Sequence, residues 1–318
     1  MSQRLSKKET AAWLLERDGF LVCTHRRPDG DALGSAAALC AGLRAAGKEA
    51  YVLENPETTE RYLEYVADYL APEDYEPLAV ITVDTADAGI LQINAGPYAE
   101  AVDLCIDHHV SNTDYAAWTC LDTGRAACGE VVYAVLLELN GNISAACALP
   151  LYVALATDTG CFQYANVNAD TFETAAALIR AGADHWAVNK KLFRTKSRGR
   201  MALDGALLSG LQFHYGEQLA VAVVTLDLMA HCGVTEDDLD DIANIPNQAE
   251  GVRVGIVVRE LEDGSCKISV RAAPGVNANE ICQQFGGGGH PGAAGCTVDM
   301  PPDEAAAMLV AAAGAALG

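Results

Sequence analysis

The sequence predicts an α/β protein with an N-terminal, doubly wound, mainly parallel sheet and a smaller mixed α/β domain after it. Through about residue 185, short and nearly continuous apolar runs alternate with Ala/Leu-rich helical segments, which is typical of parallel βαβ units. Beyond about residue 210, apolar runs and short capped helices follow in a different order. The 318 residues are also long for one compact domain.

The first domain is predicted to span residues 1–185. It opens with a strand, a helix and a strand, in the segments "GFLVCTH", "DALGSAAALCAGLRAAG" and "EAYVLE". The runs "EPLAVITVD" and "EAVDLCID" are apolar along their length, as buried parallel strands require. Two helices follow, in "CGEVVYAVLLELNG" and "SAACALPLYVALATDTG".

The second domain is predicted to span residues 210–318, after a helical linker at 186–209. Four strands are expected, in "LQFHYG", "LAVAVVTLD", "GVRVGIVVREL" and "CKISVRA". Capped helices are expected in "VTEDDLDDIANI" and "NANEICQQF", and a last helix begins near Pro302.

Composition restricts the partners and the compartment. The chain has 43 acidic and 21 basic residues and a net charge of -22, so it repels a long nucleic-acid duplex. Eleven cysteines without a C-x-x-C pair indicate reduced core residues. No apolar run has the length of a membrane span and the N-terminus does not resemble a signal peptide, so we expect a cytoplasmic protein.

The basic stretch "KKLFRTKSRGR" is either a solvated helix face or a local field that attracts small anions.

Acidic residues and histidines follow three of the predicted strands. They are His25, Asp29 and Asp31 after "FLVCT", Asp84 at the end of "VITVD", and Asp107, His108 and His109 at the end of "LCIDHH". Ligands bind at the carboxyl ends of strands in open α/β sheets, so we expect these groups to converge. Several buried carboxylates need a cation, and histidines among oxygen ligands favour Mn²⁺ or a similar ion over Ca²⁺. Asp158, at the end of an apolar helix, is a further candidate.

Four ordered motifs resemble those of the DHH phosphoesterase superfamily: "HRRPDGDALGS", "VDTAD", "IDHHVSN" and "ATDTGCF". The segment "FGGGGHPGAAG", residues 285–295, resembles the glycine-rich signature of the associated C-terminal domain, called DHHA1; on its own it could equally be a flexible loop. The resemblance covers nearly the whole chain. Within the superfamily, the arrangement is most similar to stand-alone oligoribonucleases that also dephosphorylate 3′-phosphoadenosine 5′-phosphate (pAp).

The resemblance implies two Mn²⁺ ions, or other divalent ions, in a site at a cleft between the domains. His25, Asp29 and Asp84 would hold one ion, and Asp31, Asp84, His108 and Asp158 would hold the other, with Asp84 as the bridge. The ions would activate a shared water for in-line attack on phosphorus. His109 would face the substrate, and Asp107 would orient a histidine ligand.

The resemblance also implies a substrate-binding role for the second domain. Gly287, Gly288 and Gly289 would let backbone N–H groups approach a phosphate, and Arg271 and His290 would bind the far end of a short substrate. Two positions depart from the family pattern. Ala272 stands where a serine is usual and Gln163 where an arginine is common, so substrate preference could differ.

The expected function is hydrolysis of short 5′-phosphorylated single-stranded oligoribonucleotides to mononucleotides, and of pAp to AMP. The first alternative is a phosphodiesterase for cyclic di-AMP or linear dinucleotides such as pApA. A family II inorganic pyrophosphatase lacks the glycine-rich histidine segment, and a non-catalytic nucleotide-binding protein should have lost a metal ligand. The ranking of substrates, the cleavage polarity and the oligomeric state, with a homodimer as one alternative, stay open.

Overall fold

The computed structural model describes residues 2–239 and 241–317, which divide into two compact units between Thr195 and Lys196. The division falls inside the stretch 186–209 that was expected to be a linker. Val188, before the division, belongs to the core of the first unit. Leu203 and Leu207, after it, pack into the second unit. The helical stretch is therefore shared between the two units.

The first unit is built on a parallel sheet, as predicted. In the described residues the spatial order of its strands is β1-β6-β5-β4-β2-β3, and every neighbouring pair is parallel. The strands are β1 (Gln3–Arg4), β2 (Phe20–Cys23), β3 (Ala50–Val52), β4 (Ala79–Val83), β5 (Leu104–Asp107) and β6 (Trp118–Leu121).

Helices cover one face of this sheet, and short 3₁₀ turns cover the other. Phe20 and Val22 of β2 point to the helical side, whereas Leu21 and Cys23 point to the side where the turn residue Leu91 packs. This alternation is the period of two expected in a strand. The helices of this unit are α1 (Lys7–Leu15), α2 (Gly30–Ala45), α3 (Glu60–Val66), α4 (Cys128–Asn140), α5 (Ala145–Asp158), α6 (Ala169–Arg180) and α7 (His185–Asn189).

Helices α2 and α5 pack very closely, and glycines make the approach feasible. A Cβ atom at Gly34 would lie 2.3 Å from the Pro150 carbonyl oxygen, and one at Gly30 would lie 2.5 Å from a side-chain carbon of Thr157. Neither contact is tolerable for a real side chain. Asp31 begins α2 and Asp158 ends α5, so this packing sets the positions of two candidate metal ligands.

The second unit is a mixed sheet in the order β11-β12-β10-β9-β8-β7, in which β8 and β9 are parallel and the other described pairs are antiparallel. Its strands are β7 (Gln212–His214), β8 (Leu219–Val224), β9 (Val254–Glu260), β10 (Cys266–Ala272), β11 (Gly288–His290) and β12 (Ala293–Val298). Its helices are α8 (Arg198–Ser209), α9 (Leu226–Cys232), α10 (Ala278–Gln283) and α11 (Pro302–Leu317).

Two segments of the second unit differ from expectation. The segment "VTEDDLDDIANI" forms 3₁₀ turns at Glu236–Leu239 and Ile242–Asn244 instead of one helix, and Asp240 lies outside the described residues. Contacts with α8 hold this segment, because Ser197 and Arg200 donate hydrogen bonds to Asp238. The glycine-rich segment 285–295 contains β11 and the start of β12, so it is not a flexible loop.

In the ranges 2–239 and 241–317, every helix is too short or too polar to cross a lipid bilayer.

Candidate metal centre

Three neighbouring strands bring their polar ends to one edge of the first sheet. His25 follows β2, Asp84 follows β4, and His108 follows β5. Because these strands are parallel and adjacent in the order β5-β4-β2, their carboxyl ends meet. Asp84 follows the middle strand, which places it between the two histidines.

Asp84 is the centre of the cluster. One carboxylate oxygen lies 3.6 Å from Nε2 of His25, and the other lies 3.5 Å from Nε2 of His108. The second of these oxygens, Oδ1, is buried and has no hydrogen-bond partner. The backbone of Asp84 is left-handed, with φ of 53°, a conformation that costs energy for a residue with a side chain. A strained backbone and an orphaned buried oxygen at one residue indicate a functional constraint.

His25, Asp29 and Asp84 form the first potential ligand group, with one ligand atom of each within 4.8 Å of the others. Nδ1 of His25 is 2.7 Å from the Arg26 carbonyl oxygen. If Nδ1 donates its proton there, Nε2 keeps the lone pair that a metal needs. Asp29 caps α2, since its Oδ1 accepts hydrogen bonds from the N–H groups of Asp31 and Ala32.

Asp31, His108 and Asp158 form the second group. Nε2 of His108 lies 3.8 Å from a carboxylate oxygen of Asp31 and 3.7 Å from one of Asp158. Nδ1 of His108 is 3.1 Å from the Arg125 carbonyl oxygen, which leaves Nε2 for the cluster by the same device as in His25.

The carboxylate of Asp31 is fully buried against the start of α4. It accepts hydrogen bonds from the N–H groups of Cys128, at 2.6 Å, and Gly129, at 2.9 Å, and from the Ser35 hydroxyl at 3.1 Å. Helix α4 has no side-chain cap of its own, so Asp31 satisfies its first N–H groups. This contact holds the carboxylate in place.

The electrostatics of the cluster fit divalent cations. Burial and the charges of Asp84 and Asp158 raise the pKa of Asp31. Burial and neighbouring carboxylates also raise the pKa of Asp158, to about 6. Burial alone would lower the pKa of His108, but the adjacent carboxylates of Asp84, Asp31 and Asp158 raise it to about 10. Such crowded carboxylates repel one another, and a bound cation relieves that repulsion.

Asp107 orients His109, which forms a third potential ligand group with Asp84 and His108. Its Oδ1 is 2.8 Å from Nδ1 of His109 and accepts a hydrogen bond from the backbone N–H of His108. Its other oxygen accepts a hydrogen bond from the Asn112 amide at 2.7 Å. The imidazoles of His108 and His25 are contacted instead by the carbonyl oxygens of Arg125 and Arg26. His109 Nδ1 also lies 3.6 Å from Asp84.

The candidate substrate-binding residues of the second unit lie in or beside a cavity of about 650 Å³. Arg271, Gly287 and Gly288 line it, and Gly289 and His290 follow in β11. Two of the glycines use their N–H groups internally: Gly287 donates to the Cys282 carbonyl oxygen and Gly289 to the Asn279 side chain. A Cβ at Gly287 would lie 2.2 Å from the Gly295 carbonyl oxygen. Close packing on β12 thus requires a glycine here, whatever the ligand.

Several residues that support the site were not found from the sequence. Ser35 and Asn112 lie inside the quoted motifs, so their positions offered a signal. The carbonyl groups of Arg26 and Arg125 gave no signal in the sequence, because every residue has a carbonyl group. Asn244, whose side chain accepts a hydrogen bond from Nε of Arg271 at 3.2 Å, lies far from it in the chain.

Three of the six basic residues in the basic stretch form ion pairs with acidic residues. Lys191 contacts Glu64, and both Lys196 and Arg200 contact Asp204. For these three residues the structure favours an ion-paired helix surface over a field that attracts anions.

Comparison with known proteins gives a consistent pattern. Residues 19–155 match the DHH family, N-terminal domain, and residues 216–317 match the DHHA1 domain. The chain is 33% identical over 280 residues to the bifunctional oligoribonuclease and PAP phosphatase NrnA of Thermus thermophilus, over 87% of this chain and 83% of that protein. It is 27% identical to the protein of the same name from Bacillus subtilis, over 88% and 90% of the two chains.

A solved structure shares the fold. An exopolyphosphatase-related protein from Bacteroides fragilis superimposes with a TM-score of 0.87 at 23% identity, over 96% of this chain and 95% of that one.

Proposed function

The chain belongs to the DHH family of metal-dependent phosphoesterases, and from this premise we propose that it hydrolyses short 5′-phosphorylated oligoribonucleotides to mononucleotides and pAp to AMP. One observation carries the proposal: at the carboxyl ends of adjacent strands, the carboxylate of Asp84 lies 3.6 Å from His25 of the first potential ligand group and 3.5 Å from His108 of the second. Two relatives, 33% and 27% identical, have both activities in their names.

We assign His25, Asp29 and Asp84 to one divalent ion and Asp31, Asp84, His108 and Asp158 to the other, with Mn²⁺ as the preferred ion. Nitrogen and oxygen donors together suit a borderline ion. When bound, the ions supply a polarised water as nucleophile and positive charge for the phosphoryl oxygens. The residues of the chain supply the geometry: Asp84 spans both ligand groups, and α4 holds Asp31.

His109 is the proposed proton donor. Asp107 accepts the Nδ1 proton, so Nε2 can face a phosphate oxygen or the leaving hydroxyl. The hydrogen bond with Asp107 and the charge of Asp84 raise the pKa of His109, despite its partial burial. A larger fraction of the imidazole is then protonated near neutral pH than for an isolated histidine.

In the second unit, Arg271 and His290 are the proposed contacts for the phosphate at the far end of a short substrate. Asn244 accepts a hydrogen bond from Nε of Arg271 and orients its guanidinium group. A fixed guanidinium binds phosphate with less loss of side-chain entropy than a free one. The glycines of the segment allow β11 to lie against β12 beside this arginine.

A substrate panel with Mn²⁺ tests the proposal. It contains pAp, pApA, 5′-pGpG, a five-nucleotide RNA, a 24-nucleotide RNA, cyclic di-AMP and pyrophosphate. We expect turnover of pAp and of the short RNAs, little turnover of the 24-mer, and none in EDTA. Preference for cyclic di-AMP or pApA would favour the alternative phosphodiesterase, and activity on pyrophosphate alone would contradict the proposal.

Arg271→Ala tests the role of the second unit. We expect a loss equivalent to about 1.5 to 3 kcal/mol on short oligoribonucleotides, the usual value of a hydrogen bond to a charged group. A generic phosphodiester that contacts only the metal centre should be affected little. Equal losses on both substrates would rule out a specific contact between Arg271 and the oligonucleotide.

A further inference from the structure

The peptide group between Arg125 and Ala126 is hydrogen-bonded on both of its sides. Its carbonyl oxygen, from Arg125, lies 3.1 Å from Nδ1 of His108. Its N–H group, from Ala126, donates to Oε2 of Glu130 at 2.7 Å. The peptide is trans, so its C=O and N–H groups point in opposite directions. The carboxylate of Glu130 and the imidazole of His108 therefore face each other across one planar group.

Glu130 is a buried acid in the first turn of α4, with 2% of its surface exposed. Burial raises the pKa of its carboxyl group, while the hydrogen bond from Ala126 and the charge of Arg125 oppose the rise. Moving a carboxylate from water into a protein costs several kcal/mol, whereas a helix cap contributes about 1 kcal/mol. Capping of α4 alone therefore does not explain why a glutamate lies here.

The start of α4 supports two potential ligands of the second metal group. His108 contacts the carbonyl oxygen of Arg125, just before the helix. The carboxylate of Asp31 accepts hydrogen bonds from the N–H groups of the first two residues of the helix. Glu130 belongs to the same turn and holds the chain that enters it. A change in this entry would therefore move both ligands.

The next peptide along the chain is fixed as well. The side-chain amide of Asn166 donates hydrogen bonds to the carbonyl oxygen of Ala126 at 2.9 Å and to that of Asp158 at 3.1 Å. Ala126 is thus held at its N–H group by Glu130 and at its carbonyl group by Asn166. Rotation of the backbone here would break one of these contacts, so the peptide that His108 contacts is a rigid support.

A carboxylate at the N–H side of a peptide also changes the chemistry of its C=O side. By accepting the hydrogen bond, the carboxylate polarises the peptide, and the carbonyl oxygen becomes a stronger acceptor. An imidazole that donates to this oxygen is held more firmly with its proton on Nδ1, and its Nε2 becomes a better metal ligand. Glu130 can therefore act on His108 although the two side chains are separated by a peptide group.

His25 provides an internal reference. Its Nδ1 lies 2.7 Å from the carbonyl oxygen of Arg26, in the turn that follows β2. Glu130 is on α4 and holds a different peptide. A change at Glu130 should therefore alter the environment of His108 and leave that of His25 as it is.

We propose that Glu130 is a positioning residue of the metal centre, which fixes the imidazole of His108 through the Arg125–Ala126 peptide and strengthens its Nε2 as a ligand. The inference rests on the assignment of His108 to a metal ion under the proposed function. It adds to that function a residue that touches neither metal nor substrate.

Titration of two variants with Mn²⁺, followed by electron paramagnetic resonance, tests this role. Glu130→Leu removes the acceptor, so the affinity for one of the two ions should fall about tenfold or more, as is usual when the partner of a ligand histidine is lost. Glu130→Gln keeps an acceptor for the Ala126 N–H group but loses the charge, so its affinity should fall only about threefold. Unchanged affinity in Glu130→Leu would overturn the inference.

Glu9→Leu is the matched control. Glu9 lies in the first turn of α1, where its carboxylate accepts a hydrogen bond from the backbone N–H group of Ser6 at 2.8 Å, and α1 contains no candidate metal ligand. The variant loses the same kind of contact at a helix start, so its Mn²⁺ affinity should stay within about twofold of the parent value. If it loses as much affinity as Glu130→Leu, the effect is one of helix capping and the relay is wrong.

A resonance of His108 separates the relay from folding and from the proposed function. In metal-free protein with isotope-labelled histidine, the Nδ1 proton of His108 should move upfield in Glu130→Gln, because its carbonyl acceptor is less polarised. The Nδ1 proton of His25 should keep its position. An unchanged His108 resonance would contradict the relay, whether or not Glu130→Leu folds. This NMR measurement needs neither metal nor substrate, so it decides the matter even if the chain hydrolyses neither pAp nor RNA.

Discussion

At the scale of single residues, the centre depends on how a few side chains are held. His25 and His108 both direct Nδ1 at a main-chain carbonyl oxygen, so both present Nε2 to the carboxylates. Asp84 presents an oxygen to each of them. Its left-handed backbone and its unpartnered Oδ1 both oppose folding of the metal-free chain. Asp84 therefore lowers the stability of the metal-free fold while it provides the geometry of the site.

Asp84→Asn should therefore separate activity from stability. Asparagine tolerates the left-handed conformation, so the variant should keep the fold, although it loses the attraction of the Asp84 carboxylate to His25 and His108 that lowers the pKa of Asp84. Loss of the shared ligand should lower kcat/KM for pAp by about 10³-fold or more, equivalent to about 4 kcal/mol. Steady-state kinetics with Mn²⁺ and denaturation in EDTA measure the two effects. Activity near the parent value in this variant would exclude a shared Asp84 ligand.

At the scale of elements, the contact between α2 and α5 determines the distance between two ligands. Gly30 and Gly34 lie four residues apart on one face of α2, and α5 packs directly on them. Asp31 and Asp158 project from the ends of these helices that lie near β2, β4 and β5. A change in how α2 and α5 pack would therefore change the distance between Asp31 and Asp158.

Gly34→Ala should destabilise the first unit and reduce activity. The added methyl group meets the Pro150 carbonyl oxygen at 2.3 Å and the Ala154 nitrogen at 2.9 Å, both backbone atoms that cannot rotate away. Overpacking of this kind costs about 1 to 3 kcal/mol, or more where backbone must move. Denaturant unfolding and Mn²⁺ affinity measure the change.

Gly205→Ala in α8 is the control for this substitution. Among the described residues, and apart from the neighbouring backbone of its own helix, nothing lies within 4 Å of its added Cβ, so the variant should gain about 0.5 to 1 kcal/mol from helix propensity. If both variants change stability alike, steric contact between α2 and α5 is not the reason.

A second contact at this scale is the pair of ion pairs that Asp204 of α8 makes with Arg200 of the same helix and with Lys196 just before it. Nε of Arg200 lies 2.7 Å from Asp204, and Nζ of Lys196 lies 2.6 Å from its other oxygen. Partial burial by itself would raise the pKa of Asp204, but these two hydrogen bonds hold it below its ordinary value. A carboxylate with a lowered pKa in the folded state stabilises the fold above its unfolded pKa, and this contribution is lost as pH falls through the folded value.

Asp204→Asn should accordingly lower the free energy of unfolding by about 1 to 2 kcal/mol at pH 7. The difference from the parent should shrink below about pH 3.9, the ordinary value of an aspartate, and vanish at lower pH, where the parent carboxyl is protonated too. Urea unfolding of both proteins at several pH values measures it. If the difference in free energy of unfolding stays constant from pH 7 to pH 2.5, the ion pairs are not the source of the stability that the variant loses.

At the scale of the whole molecule, the two units have separate hydrophobic cores and should respond differently to a metal ion. The cores of the first unit share no residue with those of the second. Among the described residues, the potential ligand groups all lie in the first unit, so metal binding should stabilise that unit.

Calorimetry with and without Mn²⁺ should show this difference. A ligand at 100 times its Kd stabilises the folded state by about 2.7 kcal/mol per site, so Mn²⁺ should raise the Tm of the transition that belongs to the first unit. Ca²⁺, which prefers more oxygen ligands, should have a smaller effect. Asp84→Asn should remove most of the shift. A Tm that does not respond to Mn²⁺ in the parent protein would contradict a metal centre in this cluster.

The strands β2 to β5 of the first unit, the helices α2, α4 and α5, and the candidate ligands were predictable from the sequence, whereas the strands β1 and β6 were not predicted. Continuous apolar runs indicate buried parallel strands, and the carboxyl ends of such strands meet at one edge, so the residues after "FLVCT", "VITVD" and "LCI" could be expected to converge. These inferences need only local pattern and a general rule of topology. The family resemblance then divided the ligands into two sets. Of the groups in the described residues, one contains His25, Asp29 and Asp84, a second contains Asp31, His108 and Asp158 without Asp84, and a third joins His109, which was not predicted as a ligand, to Asp84 and His108.

Only the tertiary structure decided which groups hold these side chains. It pairs Asp107 with His109, sets Asp31 against the first N–H groups of α4, and pairs half of the basic stretch with acids. It also aligns Arg271 with His290 across β10, β12 and β11. These contacts join residues as distant in the chain as Asp31 and Gly129 or Glu64 and Lys191, or depend on strand register, which a single sequence does not reveal. Local pattern therefore determined the chemistry of the site, and long-range packing determined its geometry.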